Sequence, residues 1–376
     1  MDCSYWESDA LLDADFIVVG AGLIGLQTAL ELRDRRPRDR IVVLELGVVP
    51  SGASSRNAGF ACFGSLTEIL ADLDTLGEDK VLATIERRWN GLQRLRRRVS
   101  DTAMRFEAVG GHELFSRQEM AALDRLDEVN RLLKPLFGQT VFTRDDAAIG
   151  QAGFGRACAL LRNPLEGQLH SGMLMAELAR MARRQDIEIR TGAEVLAIDD
   201  DGKHANLTIA GHCTEPLRMA ARRVVVCTNG LTGSLFPEAA IEPARGQVLV
   251  TAPVPGLRWR GSYHMAQGFY YFRNVGDRIL LGGGRHLAMQ EEASAEMALT
   301  PTIQDALLDL LRHVVLPDRD VGIEYRWAGI MGFSADRMPQ VRMLAPCVAL
   351  GFGCNGMGVA LGAEVAAEVA ALIATH

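Results

Sequence analysis

The chain has 376 residues, 48% of them apolar and 23% charged, with a net charge of -7 and a pI near 5.7. That composition excludes a disordered or low-complexity protein and disfavours a free-standing nucleic-acid binder. Seven cysteines without a C-x-x-C pair fit neither a disulfide framework nor a thiolate zinc site, so no metal centre is expected.

The opening MDCSYWESDALLDAD is polar and acidic and lacks the basic and apolar regions of a signal peptide. No uninterrupted apolar run approaches the roughly 18 residues that cross a bilayer. The expectation is a cytoplasmic, soluble protein without a membrane span.

An apolar strand, Phe16 to Val19, then runs into Gly20, Ala21, Gly22, Leu23, Ile24 and Gly25, a G-x-G-x-x-G turn. A helix follows, then a second apolar strand, Ile41 to Leu44, ending in Glu45 and Leu46 about twenty residues on. Gly20 permits the tight turn, Gly22 lets the backbone approach a pyrophosphate, and Gly25 allows close helix-strand packing. The pyrophosphate would sit on the helix N-terminus, where unpaired N-H groups and the helix dipole favour an anion, and Glu45 would accept hydrogen bonds from a ribose. A bare glycine triplet reads as an ordinary turn; strand, turn, helix, strand and terminal acid in register make it a dinucleotide signature.

Next comes SGASSRNAGFACFGS (Ser51 to Ser65), a small-residue loop. Helical spacing marks Glu68 to Val109 and Ser116 to Leu136, and the RLRRR run at Arg94 to Arg98 reads as a solvated face whose Leu92, Leu95 and Val99 point inward. Met173 to Arg184 is a further helix, leading to a strand-like Ile187 to Asp199 and a buried strand before Cys227, Thr228, Asn229 and Gly230. Strands with hairpin punctuation are expected over Pro243 to Ala252, Phe269 to His286 and Val321 to Phe333, with a helix over Thr302 to Val314. The chain closes on a strand, a glycine loop and an Ala-rich helix. The expected fold is α/β, α+β overall: a Rossmann-like nucleotide domain (12–65, 150–235 and 327–376) interleaved with an antiparallel-sheet substrate domain (66–149 and 236–326).

Taken in order, GAGLIG, the strand-end Glu45, GASSRNAG, GQLHSGMLMAELA, EVLAI, VVCTNG, PARGQVLV, FYYFR with GDRILLGGG, WAGIMGFSADRMP and GFGCNGMGVALG resemble the D-amino-acid-oxidase-like (DAO) superfamily of FAD-dependent oxidoreductases. Within it, the opening SYW, the SSRNAG loop, the WAG segment and the GMGVAL ending look most like the gamma-glutamylputrescine oxidase branch. The resemblance implies a glutathione-reductase/DAO-like fold and FAD as cofactor. Gly20, Gly22, Gly25 and Glu45 would hold its ADP half, and Val195 its adenine. Ser54, Ser55, Arg56, Asn57, Ala58 and Gly59 would lie along the diphosphate, ribityl and flavin, with Thr228, Asn229, Gly230 and Gly329 nearby. Gly353, Asn355, Gly356, Met357 and Gly358 would sit at the pyrimidine side, where a helix N-terminus can stabilise developing negative charge. Arg56 and Asn57 have loop capping as the plainer alternative.

The same resemblance nominates Tyr270 as the active-site tyrosine and turns Arg285 and His286 toward the flavin; a cross-strand aromatic and a structural histidine are the plainer readings. Two departures stand out. Where relatives carry a carboxylate-clamping arginine, this chain has Met331, so either the substrate lacks an alpha-carboxylate there or Arg245, Arg273, Arg285 or Arg337 supplies the clamp. The oxygen-activating lysine of sarcosine-oxidase-type relatives is missing too, since the only lysines are Lys80, Lys134 and Lys203. The acceptor is therefore oxygen or a dye- or quinone-like compound. The covalent attachment residues of relatives are also missing, which implies noncovalent FAD. The expected activity is oxidation of a C-N bond in a small amine or amino acid by hydride transfer. The alternatives are a D-amino-acid or glycine oxidase-like enzyme with a relocated arginine, a flavin subunit of a hetero-oligomer, and an RNA-directed module, against which the acidic balance argues.

Overall fold

The computed structural model describes residues 4–210, 215–353 and 355–375; Cys3, Cys213 and Cys354 lie outside them. Among the described residues the strands form two eight-stranded sheets and a two-stranded ladder. The spine of the first sheet is parallel, with Val348–Phe352, Leu217–Val226, Asp13–Val19, Ile41–Glu45 and Glu188–Thr191 side by side in that order. Its central strands are apolar over 16–19, 41–44 and 224–226, where both faces are covered. Phe16 and Val18 point into a core shared with the helices Leu23–Arg35, Ser171–Arg184 and Gly358–Thr375. Ile17 and Val19 point into a second core, under the antiparallel hairpin Val195–Asp200 and Ala205–Ile209.

The second sheet is antiparallel except where Gly111–Phe115 meets Ser262–Met265. Its edge is a long ladder between Ile241–Thr251 and Ile323–Ser334, running from the Ile241/Ser334 pair to Val250/Tyr325 and beyond. This ladder draws residues 327–334 into the second sheet, and Ala159–Asn163 joins it by pairing with Gly111–Phe115. Both segments had been expected inside the nucleotide domain. Backbone pairing, which sequence pattern does not reveal, places these strands in the second sheet.

The helical stretch expected over 68–109 is divided. Gly77, at φ +82°, ends the helix Leu66–Leu76 and opens Glu78–Arg98, and Asp101–Met104 is a separate turn. Leu92, Leu95 and Val99 are buried as expected, yet the basic run beside them is only partly a solvated face. Arg98 bonds Glu31 at 2.7 Å and Asp34 at 3.0 Å, and Arg94 reaches Glu31 at 3.4 Å, so this helix is tied to the nucleotide helix Leu23–Arg35. A short helix that periodicity did not suggest, Tyr5–Ala10, starts on a capping box in which Ser4 and Glu7 bond each other's backbone N-H groups.

Gly358–Thr375 is long enough, with a mean hydropathy of 1.6, to suit a membrane span, but 67% of it is buried inside the protein. It packs on Leu23–Arg35 and Glu78–Arg98 and is apolar on most sides for that reason. The approach is close enough that a Cβ on Gly91 would collide with the carbonyl of Ala360. Gly91→Ala should therefore lower stability by about 1–3 kcal/mol through overpacking. Gly150→Ala, in a helix with open space around that position, should be neutral or stabilise by about 0.5–1 kcal/mol. Denaturant unfolding of the two variants beside the parent would show equal effects if the helix contact were loose.

Candidate active site

The turn after Asp13–Val19 is built to exclude side chains. Gly20 has φ +103°, and a Cβ there would lie 2.7 Å from the carbonyl oxygen of Cys227; one on Gly25 would strike the Gly20 carbonyl. Gly22 caps the helix Leu23–Arg35 and a Cβ there would press on the Ser54 hydroxyl, which accepts the Leu23 N-H at 2.8 Å. Ala21 donates its N-H to Glu45 Oε2 at 2.9 Å, and Gly47 donates to Oε1 at 3.2 Å. Glu45 thus fixes the turn from the end of the neighbouring strand, with Leu46 exposed beside it. Ala193 donates to the Glu45 carbonyl at 2.8 Å, bringing Val195 to the same edge.

The 53–59 loop braces itself. Ser55 Oγ donates to the Pro50 carbonyl, and Arg56 donates to the carbonyls of Ser51 (2.8 Å) and Ala328 (2.9 Å). Asn57 donates to Ala53 and Ser54 and accepts from Gly59 N-H and Ser171 Oγ. The side chains of Arg56 and Asn57 are occupied by loop capping, which leaves this loop, with Ala58 and Gly59, backbone to offer a ligand. An open groove of about 610 Å³ lies on its outer side toward the helix Ser171–Arg184, and of the nominated cofactor residues it touches Ser55 and Arg56.

Two further turns lie at the carboxyl ends of the parallel strands, with a glycine from the second sheet beside them. Thr228, Asn229 and Gly230 follow Leu217–Val226, and a Cβ on Gly230 would lie 2.5 Å from the Met331 carbonyl oxygen. Gly329 faces the Arg56 Cβ from Ile323–Ser334. Gly353, Asn355, Gly356 and Met357 lead into the helix that begins at Gly358; Asn355 Oδ1 accepts the Ser334 N-H at 2.9 Å. Asn229 Oδ1 and Asn355 Nδ2 are buried without a partner among the described residues. A glycine cradle that no Cβ can enter, N-H groups at helix starts and orphaned amide atoms beside it fit a flat, phosphate-linked group such as FAD.

The second sheet presents one face to this loop. Ala58, Val248, Val250 and Leu280 are buried there with Phe60, Tyr271 and Trp327 around them. Trp327 Nε1 donates to the Arg56 carbonyl at 2.9 Å, and Arg273 donates to the carbonyls of Gly59 (3.0 Å) and Leu169 (2.7 Å). Tyr271 lies across Gly282, where a Cβ would be 2.7 Å from its hydroxyl, and that hydroxyl has no partner among the described residues. Side chains alternate along a strand, so Tyr270 points the other way. It packs near Gly284 and Ile303 of the helix Pro301–Leu310 and meets His286 edge-on at 5.1 Å. Of the two adjacent tyrosines, Tyr271 and not the nominated Tyr270 shares the face with Phe60 and Trp327. His286 stays between Phe269 and Tyr270, and burial lowers its proton affinity. Arg285 turns away from them and stacks on Phe333, 4.5 Å from the ring centre.

Sequence reasoning missed a polar group behind this face. Glu113 accepts the N-H groups of Leu66 (2.8 Å) and Thr67 (3.2 Å) and the Thr67 hydroxyl; Glu166 accepts from Phe63 (2.9 Å) and Gly64 (3.4 Å). Between them a cavity of about 10 Å³, room for one water, is lined by His264 and Asn163. Among the described residues neither ring nitrogen of His264 has a hydrogen bond; its Nδ1 is 3.9 Å from Glu68 and its ring is edge-on to Phe60 at 5.1 Å. Nothing in sequence separates such buried acids from surface ones, and the capping box between Ser65 and Glu68 beside them is seen only in the structure.

This geometry defines a flavin-dependent oxidoreductase. The chain matches the FAD dependent oxidoreductase (DAO) family over residues 15–372 and belongs to it. A Haemophilus influenzae protein named "Probable oxidoreductase OrdL" is 22% identical over 357 residues, 93% of this chain and 80% of that protein. Glycine oxidase from Geobacillus kaustophilus superposes with a TM-score of 0.76 at 21% identity, covering 96% of this chain and 95% of its own. Iminodiacetate oxidase from Chelativorans sp. BNC1 gives 0.73 at 16% identity, covering 95% of each. At these identities the structural likeness describes the fold.

Burial pushes the Glu113 carboxyl up to about 7 and the Glu166 carboxyl up to about 8, against the pull of their amide donors. A carboxyl raised on folding contributes stability that is complete below the ordinary glutamate value and is lost as pH climbs through the raised one. The Tm should fall between about pH 5 and about pH 8.5, and Glu166→Gln, which keeps an acceptor oxygen without the charge, should fall less. Parallel slopes for parent and variant would show that Glu166 does not titrate in this window.

Proposed function

We propose that the protein oxidises the C-N bond of a small amine or amino acid with noncovalently held FAD. The observation that carries this reading is the bond from Ala21 N-H to Glu45 Oε2, which fixes the glycine turn and the strand-end acid as one unit. In that arrangement Gly20 to Gly25 take the diphosphate, Glu45 the ribose and Val195 the adenine. The backbone of Ser54 to Gly59 follows the ribityl chain, with Thr228 to Gly230 and Gly329 beside it, and Asn355 to Gly358 meet the pyrimidine edge. Bound flavin supplies a hydride acceptor for the carbon beside nitrogen, and the imine released hydrolyses in water. Phe60, Trp327 and Met331 exclude water from that carbon, Tyr271 offers a hydroxyl to the substrate, and the start of the C-terminal helix favours negative charge opposite it.

Glycine oxidase, iminodiacetate oxidase and L-proline dehydrogenase from P. horikoshii, which superposes with a TM-score of 0.73, support an amino-acid-like substrate by their names. Met331 supports an amine without an alpha-carboxylate at that point, since its thioether lies against Gly246 and cannot pair with an anion. The finer likeness to gamma-glutamylputrescine oxidases rests on motifs alone. The strand Arg278–Gly283 carries no lysine, which favours an acceptor other than oxygen. A soluble cytoplasmic enzyme acting on small molecules, without nucleic acid or a membrane span, completes this reading.

Purified protein should be yellow, and acid precipitation should release the flavin into the supernatant; colour retained in the pellet would refute noncovalent binding. Glu45→Ala should lose about 1.5–3 kcal/mol, or one to two decades, of FAD affinity by titration of the apoprotein. Unchanged affinity would make that acid purely structural. A panel of amines and amino acids, scored for peroxide and for dye reduction, should bleach the flavin with at least one member. Failure of every compound under both assays would sink the C-N reading.

A further inference from the structure

The second sheet carries a lateral row of polar side chains across the face that meets the flavin loop. Along Tyr270–Val275, Ser262–Met265 and Gly111–Phe115, Tyr271 pairs with His264 and His264 with Glu113. Paired residues share a face, and His112 and Tyr263, one step along, stack on the other. Phe60 covers the row, edge-on to Tyr271 at 5.7 Å and to His264 at 5.1 Å.

One end of the row is short of partners. The cavity there is lined by His264, Asn163, Glu113 and Glu166, and it has room for one water. Glu166 gives Oε1 to the N-H groups of Phe63 and Gly64 and turns Oε2 toward Gly111 on the cavity wall. Asn163 Oδ1 accepts the Leu165 N-H, while Asn163 Nδ2 and both ring nitrogens of His264 have no partner among the described residues. At 2% and 8% exposure these two side chains cannot turn to solvent. An amide donor, a carboxyl oxygen and an imidazole around a space of this size supply the bonds that one water needs.

Charge in this cluster is one-sided. Glu68, Glu113 and Glu166 raise one another's proton affinity, with Asp72 beyond Glu68. No ion pair among the described residues joins Glu113 or Glu166 to a cation. Arg88 bonds the Phe63 carbonyl and acts on Cys62, and Arg162 and Asp145 act on His112 across the sheet. Two buried carboxyls so placed do not both ionise, so a proton stays between them. Burial lowers the proton affinity of His264, and a neutral imidazole has one nitrogen to take a proton and another to give one. Its Nδ1 faces Glu68, which is partly exposed.

We propose that Glu166, one water in this cavity and His264 form a buried proton-transfer site, with Glu68 as its exit to solvent. The water bridges the Glu166 carboxyl to the ring. A proton arriving on one ring nitrogen releases the proton on the other; one N-H bond forms as another breaks, and no electron moves. Its use in turnover rests on the C-N oxidation reading: the site takes up the N-H proton that a substrate ammonium sheds near Tyr271 before its hydride can leave.

Infrared spectra of the FAD-loaded protein test this without turnover. At about pH 6, where exposed carboxylates are ionised, the parent should show the C=O stretch of a protonated carboxyl, weakened in Glu166→Gln. In D2O that band should shift promptly in the parent and at least about tenfold more slowly in His264→Phe, where local opening is the remaining route. A structural lesion alone would loosen the core and speed the exchange, the opposite sign. A parent without the band, or a band unchanged in Glu166→Gln, overturns the assignment. Exchange in His264→Phe as fast as in the parent, or faster, overturns it as well. If His264→Phe does not fold, Glu68→Gln decides: slower exchange upholds the path and equal exchange overturns it. Should no amine reduce the flavin, the C-N reading fails while the exchange rates still report on His264.

Discussion

Residues 56–60 are held by side chains of the other sheet bonding to backbone carbonyls, and the active-site geometry depends on that clamp. Trp327 donates to Arg56, Arg273 donates to Gly59, and Arg56 returns a bond to Ala328. Two sheets with separate cores are thereby fixed at the loop proposed to meet the cofactor. Arg273 is the costly member: among the described residues it has no ion pair, Glu107 acts on it only through its field, and burial pushes its proton affinity down to about 10. Removing the Gly59 and Leu169 carbonyls would leave a buried charge with only the Asn274 carbonyl and the field of Glu107, so loop drift carries a penalty.

The nucleotide half was legible because local rules and global fold agree there. Gly20, Gly25 and Glu45 are specified by turn geometry and packing within one strand-helix-strand unit, and each sits where that unit demands. The substrate half was less legible. Tyr270 and Tyr271 are adjacent, so the assignment of one face or the other depends on register, which is set by pairing with Gly283 and Gly282 rather than by either tyrosine. Glu113, Glu166 and His264 stand among residue types that usually face water, and nothing in their neighbours announces burial. The four arginines look alike in sequence; partners from distant segments, such as Glu292 for Arg245, decide which of them is free.

The basic run at Arg94 to Arg98 teaches the same distinction between composition and placement. As a pattern it describes a polar helix face, and Arg97 still fits that description. Arg94 and Arg98 instead reach across to Glu31, which is almost wholly buried in the nucleotide helix. Conversely, the most membrane-like segment by hydropathy is a core helix whose neighbours lie far away in sequence.

That helix also sets a timetable. The strand Val348–Phe352 and the helix Gly358–Thr375 come late in the chain, yet the strand lies beside Leu217–Val226 and the helix packs on Leu23–Arg35 and Glu78–Arg98. During synthesis, one edge of Asp13–Val19 can pair early with Ile41–Glu45, while the other must wait for Leu217–Val226, some two hundred residues downstream, and the helix surface beside it waits longer still. Such non-local pairing is slow and leaves apolar surface uncovered in the interim. A nascent chain stalled before residue 348 would therefore display an unfinished sheet edge and a bare helix face, the features that holding chaperones recognise.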